Sequence, residues 1–469
     1  MSHINDIKDV LHHVDAQLDH ALERLKDLLK IPSISTQQKH RGDCRKAAEW
    51  LRNELETLGF DANLRDVSWA APGHPMVLGF NHEKLPQKTR VLFYGHYDVQ
   101  PIDPENLWDT PPFEPVIKEI DGRKVIIARG ASDDKGQVMT FIEACRAWKE
   151  VKGALPVDVT ILLEGEEECG GENLNPFLEA NKNDLTADLA LICDTSMVNR
   201  TTPAITTSLR GLLAEEVVIR CAKLDLHSGI YGNAATNPIA VLSTILAKIR
   251  DEDGRVVLPG FYDGIKKITD HKRTQWKKLF PNDGALLHEV GLSTAAGEKG
   301  YSAIEQVWAR PTFEINGISG GYEDEGFKTV IPAQAMAKIS FRLVPGQDAH
   351  KIRDSFRNFI RQNLPQDAEA SFTTYGASPA FALSEHNPYL SNALEALGEE
   401  WGTEAVEIGS GGSIPVAGDV RQTLSIDALM IGFAQNDDRI HSPNEQYGIE
   451  SFHKGIRSWV RILAKLAQN

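Results

Sequence analysis

Histidines and carboxylates stand at the ends of three short apolar segments that are predicted to be β-strands. His96 and Asp98 lie near the end of RVLFYGHYDV, Glu167 and Glu168 lie just after VDVTILLEG, and Asp194 follows ADLALIC. Imidazole nitrogens and carboxylate oxygens are good ligands for zinc and similar divalent ions. These residue types predict a metal site in which one of the two adjacent glutamates stays free to take a proton.

Two more candidates lie elsewhere in the chain. Asp133 stands in GASDDKG, just before a predicted helix, and His441 follows SIDALMIGFA. In an open α/β sheet, ligands bind at the carboxyl edge of the strands, so these distant segments are expected to meet in one crevice. Two histidines and three carboxylates can hold two ions if one carboxylate bridges, and two ions about 3.5–4 Å apart can share a water.

Each motif has a simpler structural interpretation when it is taken alone. A single His or Asp at a strand end is usually a cap or a loop hydrogen-bonding group, and EGEEE by itself is typical of a solvated acidic turn. GASDDKG by itself is typical of a helix start, because Asp suits the first turn. Convergence at one sheet edge favours the metal site, since cations remove the repulsion between crowded carboxylates. Asp98 is two residues from His96 on an extended segment, where it can accept the other ring hydrogen of the imidazole.

The elements around these residues alternate between strand and helix. The first fifty-nine residues have helical periodicity that ends at Gly59, and QVMTFIEACRAWKE is a predicted helix between the first two strands. This alternation predicts an α/β fold with a largely parallel sheet that is buried on both faces.

The pattern changes from about residue 209 to residue 385. The order there is β-α-β-β-α-β, which is the ferredoxin-like arrangement, with an insertion over roughly 251–312. We therefore expect a catalytic domain in two parts (1–208 and 386–469) and an inserted α+β lid or dimerisation domain (209–385).

Bulk composition excludes several functional classes. The 469 residues carry a formal charge of −16, which argues against binding to nucleic acid or to anionic membranes. The five cysteines form no CxxC pair, the N-terminal segment has no hydrophobic signal core, and no apolar stretch is long enough to span a bilayer. A cytoplasmic location is the expectation.

Five motifs in order resemble the co-catalytic zinc peptidases related to carnosinase, carboxypeptidase G and aminoacylase. They are GHYDVQP, GASDDKG, LEGEEECGG, CDTS and RIHSPNE, and the likeness covers essentially the whole chain. DLHSGIYG, KTVIP, FRLVP and GGSIP also fit, and they place the chain nearest to the cytosolic non-specific dipeptidase branch. The resemblance implies a zinc-peptidase catalytic domain, a lid domain and metal-dependent hydrolysis of dipeptides.

The resemblance also implies roles for the metal-site residues. Asp133 would bridge two Zn²⁺ ions, or Mn²⁺ or Co²⁺ in their place, in each subunit. The other metal ligands would be His96 and Asp194 for one ion, and Glu168 and His441 for the second. Glu167 would be the general base that takes a proton from the attacking water, with Asp98 beside the first ligand.

Four residues of the remaining motifs receive roles only through the resemblance. His227 would stabilise the oxyanion and reach a neighbouring subunit in a homodimer that pairs through the lid domain. Arg342 would bind the substrate carboxylate, and Thr329 and Ser413 would contact substrate. Without the resemblance, His227 would be interpreted as a loop residue and Arg342 as an exposed cation on a strand.

One departure leaves the substrate open. The dipeptidase branch has an Arg-Glu pair before GGSIP, whereas this chain has Gly409 and Ser410. Recognition of a free substrate amine is therefore not implied, and an N-acyl amino acid deacylase or a carboxypeptidase of the same fold is the nearest alternative. A non-catalytic metal-binding dimeric scaffold and a purely structural set of acidic loops are more remote alternatives.

Overall fold

The structure of the chain is a computed structural model, which describes residues 3–70, 72–81, 88–282, 284–288, 290–384, 386–412 and 414–468. The strands, in chain order, are β1 (Asp61–Arg65), β2 (Met76–Asn81), β3 (Arg90–His96), β4 (Val116–Ile120), β5 (Arg123–Ile127), β6 (Asp158–Glu164), β7 (Leu189–Ile192), β8 (Ala204–Leu209), β9 (Gly211–Arg220), β10 (Leu226–His227), β11 (Thr312–Ser319), β12 (Val330–Ile331), β13 (Gln334–Leu343), β14 (Glu369–Ser378), β15 (Phe381–Ala382), β16 (Val406–Ser410), β17 (Ala428–Met430) and β18 (Gln446–Gly448).

The α-helices are α1 (His3–Leu29), α2 (Arg41–Thr57), α3 (Lys135–Lys152), α4 (Leu174–Ala180), α5 (Ser228–Tyr231), α6 (Pro238–Ala247), α7 (Asp270–Leu279), α8 (Gly284–His288), α9 (Ala303–Ala309), α10 (Ala349–Gln362), α11 (Leu390–Trp401), α12 (Pro415–Asp419) and α13 (Ile449–Leu466). Across the described ranges, no helix combines the length and the apolar character that crossing a membrane requires.

These helices and strands form two compact units. Unit 1 consists of residues 1–207, 383–408 and 419–469, and unit 2 consists of residues 208–382 and 409–418. Residues 409–418, which the sequence-based boundaries assign to the catalytic domain, therefore belong to unit 2. This short return segment has no compositional signal of its own, so the chain pattern did not reveal it.

The sheet of unit 1 has a parallel centre. Strands β6, β3, β7 and β17 lie side by side in parallel, and β1 and β2 continue the sheet in antiparallel pairing beyond β6. Every residue of β6 and β7 is buried, as expected for strands that are covered on both faces. The predicted α/β fold with a mostly parallel sheet is confirmed.

The core of unit 1 fixes the strand that carries the first histidine. The rings of Phe93 on β3 and Phe141 on α3 stack with centroids 3.8 Å apart, and Trp459 on α13 meets both edge-on. Trp459 also donates its indole N–H to the Thr140 hydroxyl at 3.0 Å. Burying these rings holds β3 and α3 together, so that the residues at the end of β3 face the start of α3.

Unit 2 has the ferredoxin-like order. Strands β9, β11, β13 and β14 form an antiparallel sheet in the spatial order β11-β13-β9-β14. Helices α6 and α10 connect these strands and cover one face with a core that includes Phe341 and Phe356. The predicted β-α-β-β-α-β unit is confirmed, and residues 251–311 lie between its first helix and its second strand.

Candidate metal centre

His96 is the last residue of β3, and its side chain is fully buried. Its backbone N–H donates to Asp134 Oδ2 at 3.1 Å, which brings the loop before α3 against the strand end. Gly95 permits this approach, because a Cβ there would lie 2.9 Å from Asp134 Oδ2 and 2.5 Å from Val138 Cγ2. The glycine of GHYD therefore provides the space that the metal-site loop occupies.

Asp133 lies between the two histidines that the sequence singled out. Its Oδ1 is 3.0 Å from His96 Nε2, and its Oδ2 is 3.0 Å from His441 Nε2. Asp194 Oδ2 is 3.9 Å from His96 Nε2, and Glu168 Oε2 is 3.3 Å from His441 Nε2. One carboxylate thus faces two imidazoles, each with a second carboxylate beside it.

These side chains form two overlapping donor groups, in each of which the ligand atoms lie within 4.8 Å of one another. The groups are His96, Asp133 and Asp194, and Asp133, Glu168 and His441. The structure therefore brings together all five residues predicted as metal ligands, and Asp133 is the member that the two groups share.

Asp98 lies beside His96 and is fully buried. The Asp98 backbone oxygen lies 3.1 Å from His96 Nδ1, and the Asp98 carboxylate Oδ1 lies 3.4 Å from the same nitrogen. Asp98 Oδ2 accepts the backbone N–H of Glu168 at 3.0 Å. Asp98 thus connects the β3 end to the acidic turn, and it limits the orientation of the imidazole ring.

The three consecutive glutamates of the acidic turn have different surroundings. Glu166 is buried and accepts hydrogen bonds from the Asn173 side chain and the His74 backbone, and Glu168 accepts one from Gln100. The Glu167 carboxylate has no hydrogen bond or ion pair with any residue that the structure describes. Glu167 is therefore the member of the triplet that is free to exchange a proton.

Burial and mutual repulsion shift the pKa values of these groups. Burial raises the pKa of Glu167 to about 7 and that of Glu164, which accepts the Tyr94 hydroxyl, to about 8. Burial and the neighbouring carboxylates also raise the pKa of Asp194 well above its ordinary value. Without cations, these surroundings favour the protonated forms of Glu164, Glu167 and Asp194.

The imidazoles are shifted in the direction that favours their charged forms. The hydrogen bonds with Asp133 and Glu168 raise the pKa of His441 to about 10. For His96, burial lowers the pKa, but contacts with Asp133 and Asp98 outweigh it and raise the pKa well above the usual value. Burial alone would raise the pKa of Asp133, yet its hydrogen bonds from both histidines hold it well below the ordinary value.

The metal-free protein is expected to lose stability as the pH rises from about 5 to about 10. Glu164 and Glu167 titrate near 4.5 when unfolded and at about 8 and about 7 when folded, and His441 titrates near 6.5 and at about 10. In this window the folded state binds more protons than the unfolded state, so deprotonation lowers the free energy of unfolding. Melting temperatures measured across this pH range with a chelator present test the sign of this pH dependence. A melting temperature that rises steadily toward pH 10 would contradict it.

The donor set fits a pair of divalent cations. Two imidazoles and three carboxylates are the ligand types that zinc and related ions take in proteins. Burial and then the neighbouring carboxylates disfavour the charged forms of Asp194 and Glu167 and so raise their pKa values, and nearby cations would offset this cost. Asp98 Oδ1 is a buried acceptor without a hydrogen-bond partner among the described residues. The residues present are therefore suited to a dinuclear metal site.

The loop that carries His441 has an unusual backbone. His441 and its neighbours Arg439 and Asn444 adopt φ values of 62°, 57° and 62°, in the left-handed region that non-glycine residues rarely occupy. Such conformations cost about 1–3 kcal/mol each and persist only where the surrounding structure imposes them.

Glu445, at the end of this loop, supplies that constraint and was not predicted as a site residue. Its buried carboxylate accepts the backbone N–H groups of Gly130, Ser132 and Asp133 at 2.8–3.0 Å. It also pairs with Arg129 Nη1 at 2.8 Å. Glu445 thus fastens the His441 loop to the Asp133 loop. Its place in RIHSPNE, inside a motif already recognised, was the available signal.

Replacing Glu445 with Gln is expected to lower the free energy of unfolding by about 3–5 kcal/mol, because Arg129 would keep a buried charge without a counter-ion. Urea denaturation measures this loss. The control is Glu450→Gln, since Glu450 is exposed at the start of α13 and should change stability by no more than about 0.5 kcal/mol. A Glu445→Gln loss as small as that of the control would contradict the assignment.

Three of the remaining predicted residues lie in unit 2. His227 ends β10, is exposed, and accepts the Gly229 N–H on Nδ1 at 3.0 Å. His227 is paired with Val330 of β12 in the two-stranded sheet. The Thr329 backbone oxygen accepts the Ser228 N–H at 3.1 Å, so Thr329 lies next to His227. Arg342 is on β13, opposite Leu212 of β9. Ser413 lies outside the described residues.

Comparisons with known proteins agree in finding similarity to metal-dependent peptidases. The model of peptidase family M20/M25/M40 matches residues 92–465. The chain is 28% identical to the Cys-Gly metallodipeptidase dug1 of Schizosaccharomyces pombe over 97% of both chains. It is also 28% identical to the human Beta-Ala-His dipeptidase, over 98% of this chain and 93% of that one. The structure of the M20 family metallo-carboxypeptidase Sso-CP2 from Sulfolobus solfataricus aligns with a TM-score of 0.80 and 31% identity, over 96% and 99% of the two chains.

Proposed function

The chain belongs to peptidase family M20/M25/M40, and we propose that it hydrolyses the amide bond of dipeptides and similar short peptides in a metal-dependent reaction. The family match confirms the resemblance drawn from the five motifs. The observation that carries the proposal is the position of Asp133, whose carboxylate oxygens lie 3.0 Å from the Nε2 atoms of His96 and His441. The nearby Glu167 carboxylate has no partner among the residues that the structure describes.

The dinuclear site of this family would be held here by His96 and Asp194 on one side and by Glu168 and His441 on the other, with Asp133 shared. We propose zinc as the ion, with Mn²⁺ or Co²⁺ as substitutes, because the donors are imidazole and carboxylate. Two such ions, when bound, supply the positive charge that lowers the pKa of a water and polarises a substrate carbonyl.

Glu167 is proposed as the group that moves the proton. Its carboxylate makes no hydrogen bond or ion pair with the described residues, which leaves it available to take a proton from water and pass it to the leaving amine. Asp98 holds the His96 ring in orientation through the contacts at its Nδ1. This division of roles follows from which carboxylates are already engaged and which one is not.

The residues of unit 2 are proposed to act on the substrate. His227 presents an exposed imidazole that can donate to the oxyanion, and Arg342 offers a planar pair of donors to the C-terminal carboxylate. Thr329, next to His227, and Ser413 are proposed as further substrate contacts. A homodimer through unit 2 is part of the proposal, as is a cytoplasmic location, which the five free cysteines support.

A substrate panel with the purified, metal-loaded protein tests the proposed function. We expect free dipeptides to be cleaved after loading with zinc, manganese or cobalt, and chelation to abolish the rate. Metal analysis of the same sample checks for two ions per subunit. Bound metal without hydrolysis of any dipeptide would instead support the non-catalytic scaffold.

A carboxypeptidase or N-acyl amino acid deacylase is the second candidate. The match to the Sulfolobus metallo-carboxypeptidase favours it, as does Ser410, which stands in the sequence where the dipeptidase branch has a glutamate. N-acetylated dipeptides and free dipeptides with the same sequence separate the two, because a deacylase or carboxypeptidase would cleave the blocked substrate at least as fast.

A further inference from the structure

Unit 2 contains an open basin of about 480 Å³ that is lined by four arginines and two glutamates. Its floor is the sheet face that carries Ser340 and Arg342, and its walls include the insertion between α6 and β11. The charged residues of the basin are Arg210, Arg250, Arg310, Arg342, Glu298 and Glu314. A positive basin is unusual on a chain with a formal charge of −16, so it points to a local anionic ligand.

Two of the four arginines already have anionic partners. Arg310 forms a two-pronged pair with Glu298, with Nε–Oε1 at 3.1 Å and Nη2–Oε2 at 2.8 Å. Arg250 Nη2 lies 3.0 Å from Glu314 Oε1 and also donates to the Phe313 carbonyl at 2.6 Å. Both glutamates of the basin are therefore engaged.

The other two arginines have no carboxylate partner among the described residues. Arg210 donates only to backbone carbonyls, with Nε at 3.0 Å from the Gly411 oxygen and Nη1 at 3.5 Å from that of Arg310. The Arg342 guanidinium makes no hydrogen bond or ion pair in the described part of the chain. Their two guanidinium groups therefore carry a charge of +2 in the basin that no carboxylate of the described residues pairs with.

Arg210 and Arg342 are also close neighbours. Arg342 on β13 pairs with Leu212 of β9, and Arg210 lies two residues before Leu212. Burial, followed by the charge of Arg342, lowers the pKa of Arg210 to about 10. A half-buried cation that is repelled by a second cation is stabilised when an anion binds to both.

We propose that Arg210 and Arg342 together bind the two carboxylates of an acidic C-terminal residue, so that the enzyme prefers dipeptides that end in Glu or Asp. This inference rests on the proposed function and names its substrate class. Arg342 takes the α-carboxylate, and Arg210 takes the side-chain carboxylate of the same residue. Planar guanidinium groups suit both, because each can form two parallel hydrogen bonds to a carboxylate.

The test compares two substrates that differ in one charge, Ala-Glu and Ala-Gln, with the metal-loaded full-length enzyme. A charge-assisted hydrogen bond that only Ala-Glu can make is expected to raise its kcat/KM by roughly 10- to 100-fold over Ala-Gln. Arg210→Met, which keeps the aliphatic stem and removes the cation, is expected to bring the ratio close to one. Arg220→Met is the matched control, because Arg220 lies at the opposite end of β9 and should leave the ratio unchanged.

A binding measurement separates failure of this inference from failure of the proposed function. Glutarate carries two carboxylates and no scissile bond, so calorimetry can follow its binding even if neither dipeptide is cleaved. We expect the parent holoenzyme and Arg220→Met to bind glutarate with the same affinity. We expect Arg210→Met to bind it roughly 10-fold more weakly. Equal glutarate affinity in Arg210→Met, an Ala-Gln rate equal to that of Ala-Glu, or a preference that persists in Arg210→Met would overturn the assignment.

Discussion

Replacing Glu167 with Gln is expected to lower kcat by roughly 10²- to 10⁴-fold, the range that a positioned proton-transfer group contributes. Gln has nearly the same shape but cannot accept a proton from water. Since the Glu167 carboxylate makes no hydrogen bond or ion pair with described residues, the change breaks no structural contact there. Metal content and melting temperature should therefore stay near those of the parent protein while turnover disappears.

Steady-state kinetics and metal analysis on the same preparation check this result. The matched control is Glu172→Gln, because Glu172 is an exposed acid just beyond the same turn. A Glu167→Gln enzyme with near-parental kcat would show that another group handles the proton. A loss of metal with the loss of rate would instead show that Glu167 is a ligand.

Replacing Asp133 with Ala is expected to abolish both metal binding and activity. Asp133 is the member common to the two donor groups, so its loss removes a ligand from each ion at once. The decrease in metal affinity should exceed the roughly 10- to 100-fold that loss of an outer hydrogen-bond partner costs. Replacing His96 or His441 alone removes a donor from only one group, so those variants should retain more metal than Asp133→Ala.

Metal stoichiometry after dialysis, followed by zinc titration, measures this difference. The control is Asp437→Ala, since the partly exposed Asp437 carboxylate pairs with Arg123 and Arg200 outside both donor groups. A chelated sample of the parent protein shows whether the variant folds like the metal-free state. Two tightly bound ions in Asp133→Ala would rule out the shared-ligand role.

Much of this organisation was accessible from local sequence patterns. Apolar runs such as VDVTILLEG predict buried strands because a strand covered on both faces excludes polar residues, and β6 is buried throughout. Convergence of the candidate residues could be expected because parallel strands end at one edge of the sheet, which brings His96 and Asp194 together from distant segments. The individual ligand roles came from the family resemblance. The β-α-β-β-α-β order of unit 2 followed from the same periodicities.

Other features depend on side chains that meet only in the folded chain. Hydrogen bonds from Asn173, Gln100 and the backbone of His74 determine which glutamates of EGEEE are engaged. Helix or strand periodicity relates none of these three donors to the glutamates. The hydrogen bonds of Glu445 to the Asp133 loop likewise join residues far apart in sequence. The same holds for the basin, where Arg250 pairs with Glu314 while Arg210 has no carboxylate partner among the described residues. Burial and charge balance are properties of such assemblies. Residue types and spacing therefore indicated which groups could converge on a cation, and the resemblance assigned Glu167 as the base. Only tertiary packing decided which hydrogen bonds engage the other carboxylates and where, among the described residues, positive charge has no carboxylate partner.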